Sequence, residues 1–231
     1  GKYYNQGVSL ALEDAIKDNS NFETVSGFYA ERPSKVENKE NGTEYKWPEH
    51  VIFTDVNYFK IFNYKFLAGD KTNVLPNPNN VILTEKRAAD YFPNTSHSDI
   101  IGKILVYNDS LNVTVTGIVE NFQERSDLVF QEFISTPTLL QTRLRENIIN
   151  KSWNNTNSAS QLFVKLRESG NLTSVNSRFD ALAEEHQTED SKKYGDKTEF
   201  RLQPLNDIHF NENVKSKLKF SVKKEVKIRF E

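Results

Sequence analysis

The run Thr54-Asp55-Val56-Asn57-Tyr58-Phe59-Lys60-Ile61-Phe62-Asn63-Tyr64-Lys65-Phe66-Leu67-Ala68-Gly69-Asp70 places five aromatic rings between two acidic residues. Asp55 is suited to cap a helix start, because its carboxylate accepts from backbone N–H groups that have no partner in the first turn. The turn Tyr58–Phe62 sets Phe59 and Phe62 three apart and so on one face. Phe66 and Leu67 then read as extended chain, and Gly69-Asp70 as a turn that a residue with a Cβ would resist. The run holds no catalytic triad, metal cluster or phosphate loop.

Working outward, Val8, Leu12, Ala15 and Ile16 recur at helical spacing and predict an amphipathic helix ending near Asn19. Phe22 to Ala30 reads as a strand, Pro33 to Pro48 as an exposed loop or hairpin, and Val51-Ile52-Phe53 as a short buried strand. Beyond Pro76 to Asn80, the strand Val81-Ile82-Leu83 leads to Thr84, a cap for the helix Glu85 to Phe92, which Pro93 stops. Gly102 to Tyr107 and Val113 to Val119 are strands joined by the turn Asn108-Asp109-Ser110. Simple alternation puts Val113, Val115 and Gly117 on one side and Thr114, Thr116 and Ile118 on the other. Phe130 to Ile134 is a further strand.

Thr136-Pro137 predicts a helix with Pro at its first position and the stripe Leu140, Leu144, Ile148. Leu162-Phe163-Val164 reads as a strand, and Leu172, Val175, Phe179, Leu182 and Ala183 line a long helix. Phe200 to Leu205 is a strand, with a return at Ile208-His209-Phe210. Leu218 to Phe230 alternates as two short strands. The pattern is α+β.

At 231 residues, with 36% hydrophobic and 27% charged residues, the chain can bury one large core or two smaller ones. No apolar run approaches the roughly 18–20 residues that cross a bilayer. A net charge of −2 with interspersed signs argues against nucleic acid, and the one basic cluster, Lys215 to Arg229, reads as a solvated face. Zero cysteine excludes disulfides and thiolate chemistry. Zero methionine, with Gly1 in the initiator's place, points to a segment of a longer protein.

His50, His97, His186 and His209 stand far apart and in no metal-binding spacing, Glu184-Glu185-His186 included. His209, between Ile208 and Phe210, reads as a structural residue. There is no Gly-x-Ser-x-Gly elbow, Walker A loop or dinucleotide fingerprint. No catalytic, metal or cofactor-binding residue is nominated, and no cofactor is expected.

Four blocks in order carry a family resemblance: Thr54–Phe62 with Phe66–Asp70; Asn80–Phe92; Ile101–Leu105 with Val113–Val119, Asn121-Phe122 and Ser126; and Leu202–Phe210. In these the chain resembles the MacB-like periplasmic core domain of FtsX-like ABC transporter permeases, in the version common among Gram-negative gut bacteria. The residues that match are Asp55, Phe59, Phe62, Gly69, Asp70, Thr84, Gly102, Gly117, Pro204 and His209, and each reads as structural.

The resemblance implies a porter-like α/β-sandwich subdomain (1–77 and 136–213) interrupted by a smaller β-rich insertion (78–135). The tail 214–231 is unassigned. It also implies a non-catalytic domain of an inner-membrane protein, facing the periplasm between transmembrane helices. ATP hydrolysis would occur on a separate cytoplasmic subunit or domain. Partners would be the rest of the permease, that ATPase, a second permease copy or a periplasmic adaptor, and the work would be transport or efflux. Two departures stand: residues 214–231 do not resemble the start of a membrane helix, and Lys35–Lys46 is idiosyncratic. A periplasmic ligand-binding or sensor domain of another membrane protein, or a secreted hydrolase, remains open as an alternative.

Overall fold

A computed structural model describes residues 7–72, 75–122, 128–153, 156–194, 199–205 and 225–230. In chain order the elements are α1 (Leu10–Ile16), β1 (Phe22–Glu31), β2 (Lys35–Asn38), β3 (Thr43–Lys46), β4 (Val51–Thr54), α2 (Val56–Phe62) and β5 (Phe66–Ala68). Then come β6 (Asn80–Thr84), α3 (Glu85–Tyr91), α4 (His97–Ile100), β7 (Ile104–Tyr107), β8 (Leu111–Val119), β9 (Glu132–Ser135) and a 3-10 turn (Thr136–Gln141). The last are α5 (Arg145–Asn150), β10 (Ser160–Leu166), α6 (Leu172–Glu185), α7 (Glu189–Tyr194), β11 (Phe200–Pro204) and β12 (Glu225–Phe230). The mixture of helices and sheet is the α+β class that the sequence pattern predicts.

The chain forms two compact units, one holding residues up to Gly27 and from Lys151 onward, the other Phe28 to Asn150. In the first, the strand order is β11-β12-β10-β1. β12 pairs antiparallel with both β10 and β11, so part of the tail left unassigned by sequence is an interior strand. The earlier strand expected from residue 218 lies outside the described residues, as does the return at 208–210. Ser9 caps α1 by accepting from the Ala11 N–H, and Leu12 and Ile16 turn inward. They meet Val25, Leu162, Val164 and the Val175, Phe179 and Leu182 stripe of α6 in one core.

In the second unit the order is β1-β4-β9-β6-β8-β7-β2-β3, with β5 also on β8. β4 with β9 and β6 with β8 are parallel; β6 with β9 and the β7–β8 hairpin are antiparallel. The 33–48 segment is a hairpin, β2–β3, whose Val36 and Asn38 are fully buried, so it is only partly a surface feature. The compact unit is wider than the 78–135 segment because β2 pairs with β7, and β4 with β9.

Two local expectations do not hold. β8 carries a bulge: Val115 lies opposite Val81 but Gly117 opposite Ile82, leaving Thr116 as an extra residue. One inserted residue reverses the parity of everything after it. Ile118 therefore joins Val113 and Val115 in one core, where alternation had put it on the other side. Nor is 136–150 a single helix. Thr138 shares a hydroxyl hydrogen bond with Ser135 and accepts from the Asn79 N–H, while the Thr142 hydroxyl donates to the Leu139 carbonyl. These side chains compete with helical pairing, and the chain breaks into a 3-10 turn and the short α5. Leu139 and Leu144 are buried, and Leu140 is 45% exposed.

The aromatic run folds against β9. Phe133 contacts the rings of Tyr58, Phe59 and Tyr64 at 5.7, 5.0 and 5.4 Å between centroids. Phe59 is fully buried, whereas Phe62 is half-buried and lies 4.4 Å from Tyr58. Phe59→Ala is expected to destabilise the chain by about 3–5 kcal/mol, and Phe62→Ala by clearly less. Urea unfolding of both variants checks this ordering.

Candidate functional site

The described residues of the family blocks in the Phe28–Asn150 unit sit at separate strand ends and turns, with Asp55 beyond the Ser135 end of β9 and Thr84 beside its Glu132 end. Asp55 accepts from the Asn57 and Tyr58 N–H groups and starts α2. Thr84 accepts from the Arg87 N–H and starts α3, whose Lys86 N–H is also held by the Asn121 side chain at 2.9 Å. Gly69 has φ +86°, and a Cβ there would overlap the Thr116 carbonyl at the β8 bulge, so glycine is required twice over. Gly117 is buried beside that bulge. Asp70 accepts from the Thr72 N–H and hydroxyl, closing the turn, and these bonds hold its pKa below the ordinary value. Gly102, at φ +90°, donates its N–H to Val115 O at 2.8 Å. Pro204 ends β11 in the other unit, and His209 lies outside the described residues.

The remaining histidines do not converge. The His50 carbonyl accepts from the Gln131 and Glu132 N–H groups, His97 lies 3.9 Å from Glu85, and His186 stacks on Trp153 at 3.8 Å. Among the described residues no group of three or more His, Cys, Asp or Glu is placed to hold a metal ion.

A polar centre that the sequence reading did not single out lies on β9. The Glu132 side chain is fully buried at the start of β9, between Leu83 and Val51 in the register. The Tyr91 hydroxyl donates to one carboxyl oxygen at 2.8 Å, and the Tyr107 hydroxyl donates to the other. Arg87 Nε lies 3.1 Å from Glu132, its guanidinium sits over the Tyr91 ring, and its Nη2 donates to the Glu49 carbonyl at 2.9 Å. Burial raises the Glu132 pKa, against the opposing pull of Arg87 and the two hydroxyls. Burial also raises the pKa of both tyrosines. The available signal was the acid at the second position of Gln131-Glu132-Phe133-Ile134, because an inward-facing carboxylate in a strand requires buried partners. The arrangement has the composition of a structural lock, tying α3 to the sheet.

The family known as MacB-like periplasmic core domain matches residues 1–182. The chain belongs to this family. MacB-like periplasmic core domains are periplasmic parts of ABC transporter permeases, and three solved structures carry the same fold. A domain assigned to a permease of Porphyromonas gingivalis superposes with TM-score 0.62 at 18% identity, over 79% of each chain. The periplasmic region of MacB from Actinobacillus actinomycetemcomitans gives 0.57 at 16% identity, over 82% of this chain and 83% of that one. The extracellular domain of the ABC-type transporter YknZ from Gram-positive bacteria gives 0.50 at 13%, over 82% and 86%. No curated protein matches. No helix among the described residues is long and apolar enough to cross a membrane.

Removing the Glu132 carboxyl leaves Arg87 and two buried hydroxyls without their partner. Glu132→Ala is therefore expected to cost about 3–5 kcal/mol, and Glu132→Gln less. A carboxyl whose native pKa lies above its unfolded value stabilises fully below about pH 4.5, and that contribution is lost as pH rises through the native value. The stability of the wild type relative to Glu132→Gln should thus decline from about pH 4.5 upward. Urea midpoints measured across that range give the sign directly.

Proposed function

We propose that this domain transmits motion. It would sit on the periplasmic side of the inner membrane in a Gram-negative bacterium, between transmembrane helices of an ABC transporter permease. It would pass ATP-driven movement of those helices to a periplasmic substrate or partner protein, and carry out no bond chemistry itself. The observation that carries this reading is the family match over residues 1–182.

Two features of the chain support it. Among the described residues, Asp55 and Thr84 are helix caps, Gly69 and Asp70 form a tight turn and Phe59 is a buried ring, as a domain that must keep its shape under load requires. Each of the two compact units also has a core of its own. In this reading the unit containing α1, β10 and α6 is the porter-like one, and the β-rich insertion lies within the unit from Phe28 to Asn150. The ATPase would be a separate cytoplasmic subunit or domain, and a second permease copy or a periplasmic adaptor would complete the assembly.

This segment contains no cysteine, which simplifies a direct test. Thr43→Cys on the exposed β3 strand, in a full permease and ATPase whose other cysteines have been replaced, takes a single environment-sensitive fluorophore. Adding ATP is expected to change its emission, and a variant of the ATPase that cannot hydrolyse ATP should abolish the change. An active transporter whose label does not respond would contradict the coupling. Turnover of a hydrolase or transferase substrate by the purified domain, lost on a single substitution, would contradict the non-catalytic part.

A further inference from the structure

A pocket of about 230 Å³ opens in the Phe28–Asn150 unit, walled by Phe53, Leu111, Ile134 and Leu144, with Glu31 and Arg143 among its polar groups. Phe53 and Ile134 lie side by side in the β4–β9 register and belong to the unit's core. Glu31 is the last residue of β1, with its Cα opposite Val51, so the sheet fixes where its carboxylate starts. Arg143 lies in the irregular link between the 3-10 turn and α5.

The two charges differ in their surroundings. Arg143 Nη2 donates to Glu31 Oε1, yet the Arg143 side chain is 76% exposed and that of Glu31 only 16%. Because the Arg143 side chain is already mostly in water, releasing it fully into solvent costs its guanidinium little. Glu31, in contrast, stays largely desolvated beside an apolar wall, where an opposite charge is favoured and a like charge repelled. The volume exceeds the roughly 150 Å³ cavity that holds benzene, leaving room for a ring and a short chain.

We propose that this pocket binds small amphiphilic ammonium ions, aryl- or alkylamines, whose nitrogen replaces Arg143 on Glu31 while the hydrocarbon part rests on Phe53, Ile134 and Leu144. Arg143 then serves as a resident competitor that keeps the carboxylate paired when no ligand is bound. The inference rests on the pocket alone and holds or fails independently of the transport reading.

The test titrates the full 231-residue chain with phenethylamine, 2-phenylethanol and 3-phenylpropanoate at neutral pH, following backbone amides by NMR. Phenethylamine is expected to shift amides around Phe53, Leu111 and Leu144 and to bind roughly five- to tenfold more tightly than the alcohol, with the carboxylate weakest. Arg143→Ala should tighten the amine about two- to fivefold by removing the competitor. Glu31→Gln should erase the preference for amine over alcohol while leaving alcohol binding in place. Leu144→Trp should fill the pocket and block both. The proposal is overturned if none of the three binds, if the amine binds no more tightly than the alcohol, if Arg143→Ala weakens the amine, or if the shifts map elsewhere. Unchanged amide positions far from the pocket in the free variants establish that each one is folded.

Discussion

The Phe28–Asn150 unit depends on four residues of β9 that are buried on both faces of the sheet. Glu132, Phe133, Ile134 and Ser135 are all buried, with β4 parallel on one edge and β6 antiparallel on the other. Side chains alternate along a strand, so this one segment meets both layers. Glu132 and Ile134 face the core that contains α3, and Phe133 faces the rings of α2 and its return strand. A carboxyl at one position and a phenyl ring at the next hold two helices by different physics. The ring contributes apolar area and edge-to-face contacts. The carboxyl contributes direction, because its partners must arrive at defined positions to offset the loss of water.

What the sequence made legible follows the range of each interaction. The Asp55 and Thr84 caps are formed within three residues, and the pattern around them suffices to find them. The rings Tyr58 to Phe66 stand out by density alone, and the order of four blocks was enough to indicate the family. Glu132 was not legible as a centre because Tyr91 and Tyr107 lie 41 and 25 residues away along the chain. The Glu31–Arg143 contact spans 112 residues, and nothing local to either marks it. The β8 bulge was missed for another reason: the extra residue lies in the alternating run Val113-Thr114-Val115-Thr116, and its one local mark is the adjacent Gly117, yet it moves Ile118 to the opposite layer. In the 136–150 segment the apolar spacing suggested one helix, but the hydroxyls of Thr138 and Thr142 prevailed locally.

Among the described residues, several of those matched by the family blocks are held in turns and caps by contacts of their own. Gly69 is needed because a Cβ there would overlap Thr116 O at the bulge, Gly102 because its φ is +90°, and Asp70 because it ties Thr72 into the turn. The fold is shared with solved structures at identities of 13–18%.

Native-state hydrogen exchange of the β9 amides tests the central role of this strand most directly. If β9 is the element on which both layers depend, the Phe133 and Ile134 amides exchange only through unfolding of the whole unit. Their exchange free energy then equals that from denaturant unfolding and exceeds that of the edge strand β3. Exchange of the β9 amides at a free energy as low as that of β3, while β6 and β8 stay protected, would contradict the account.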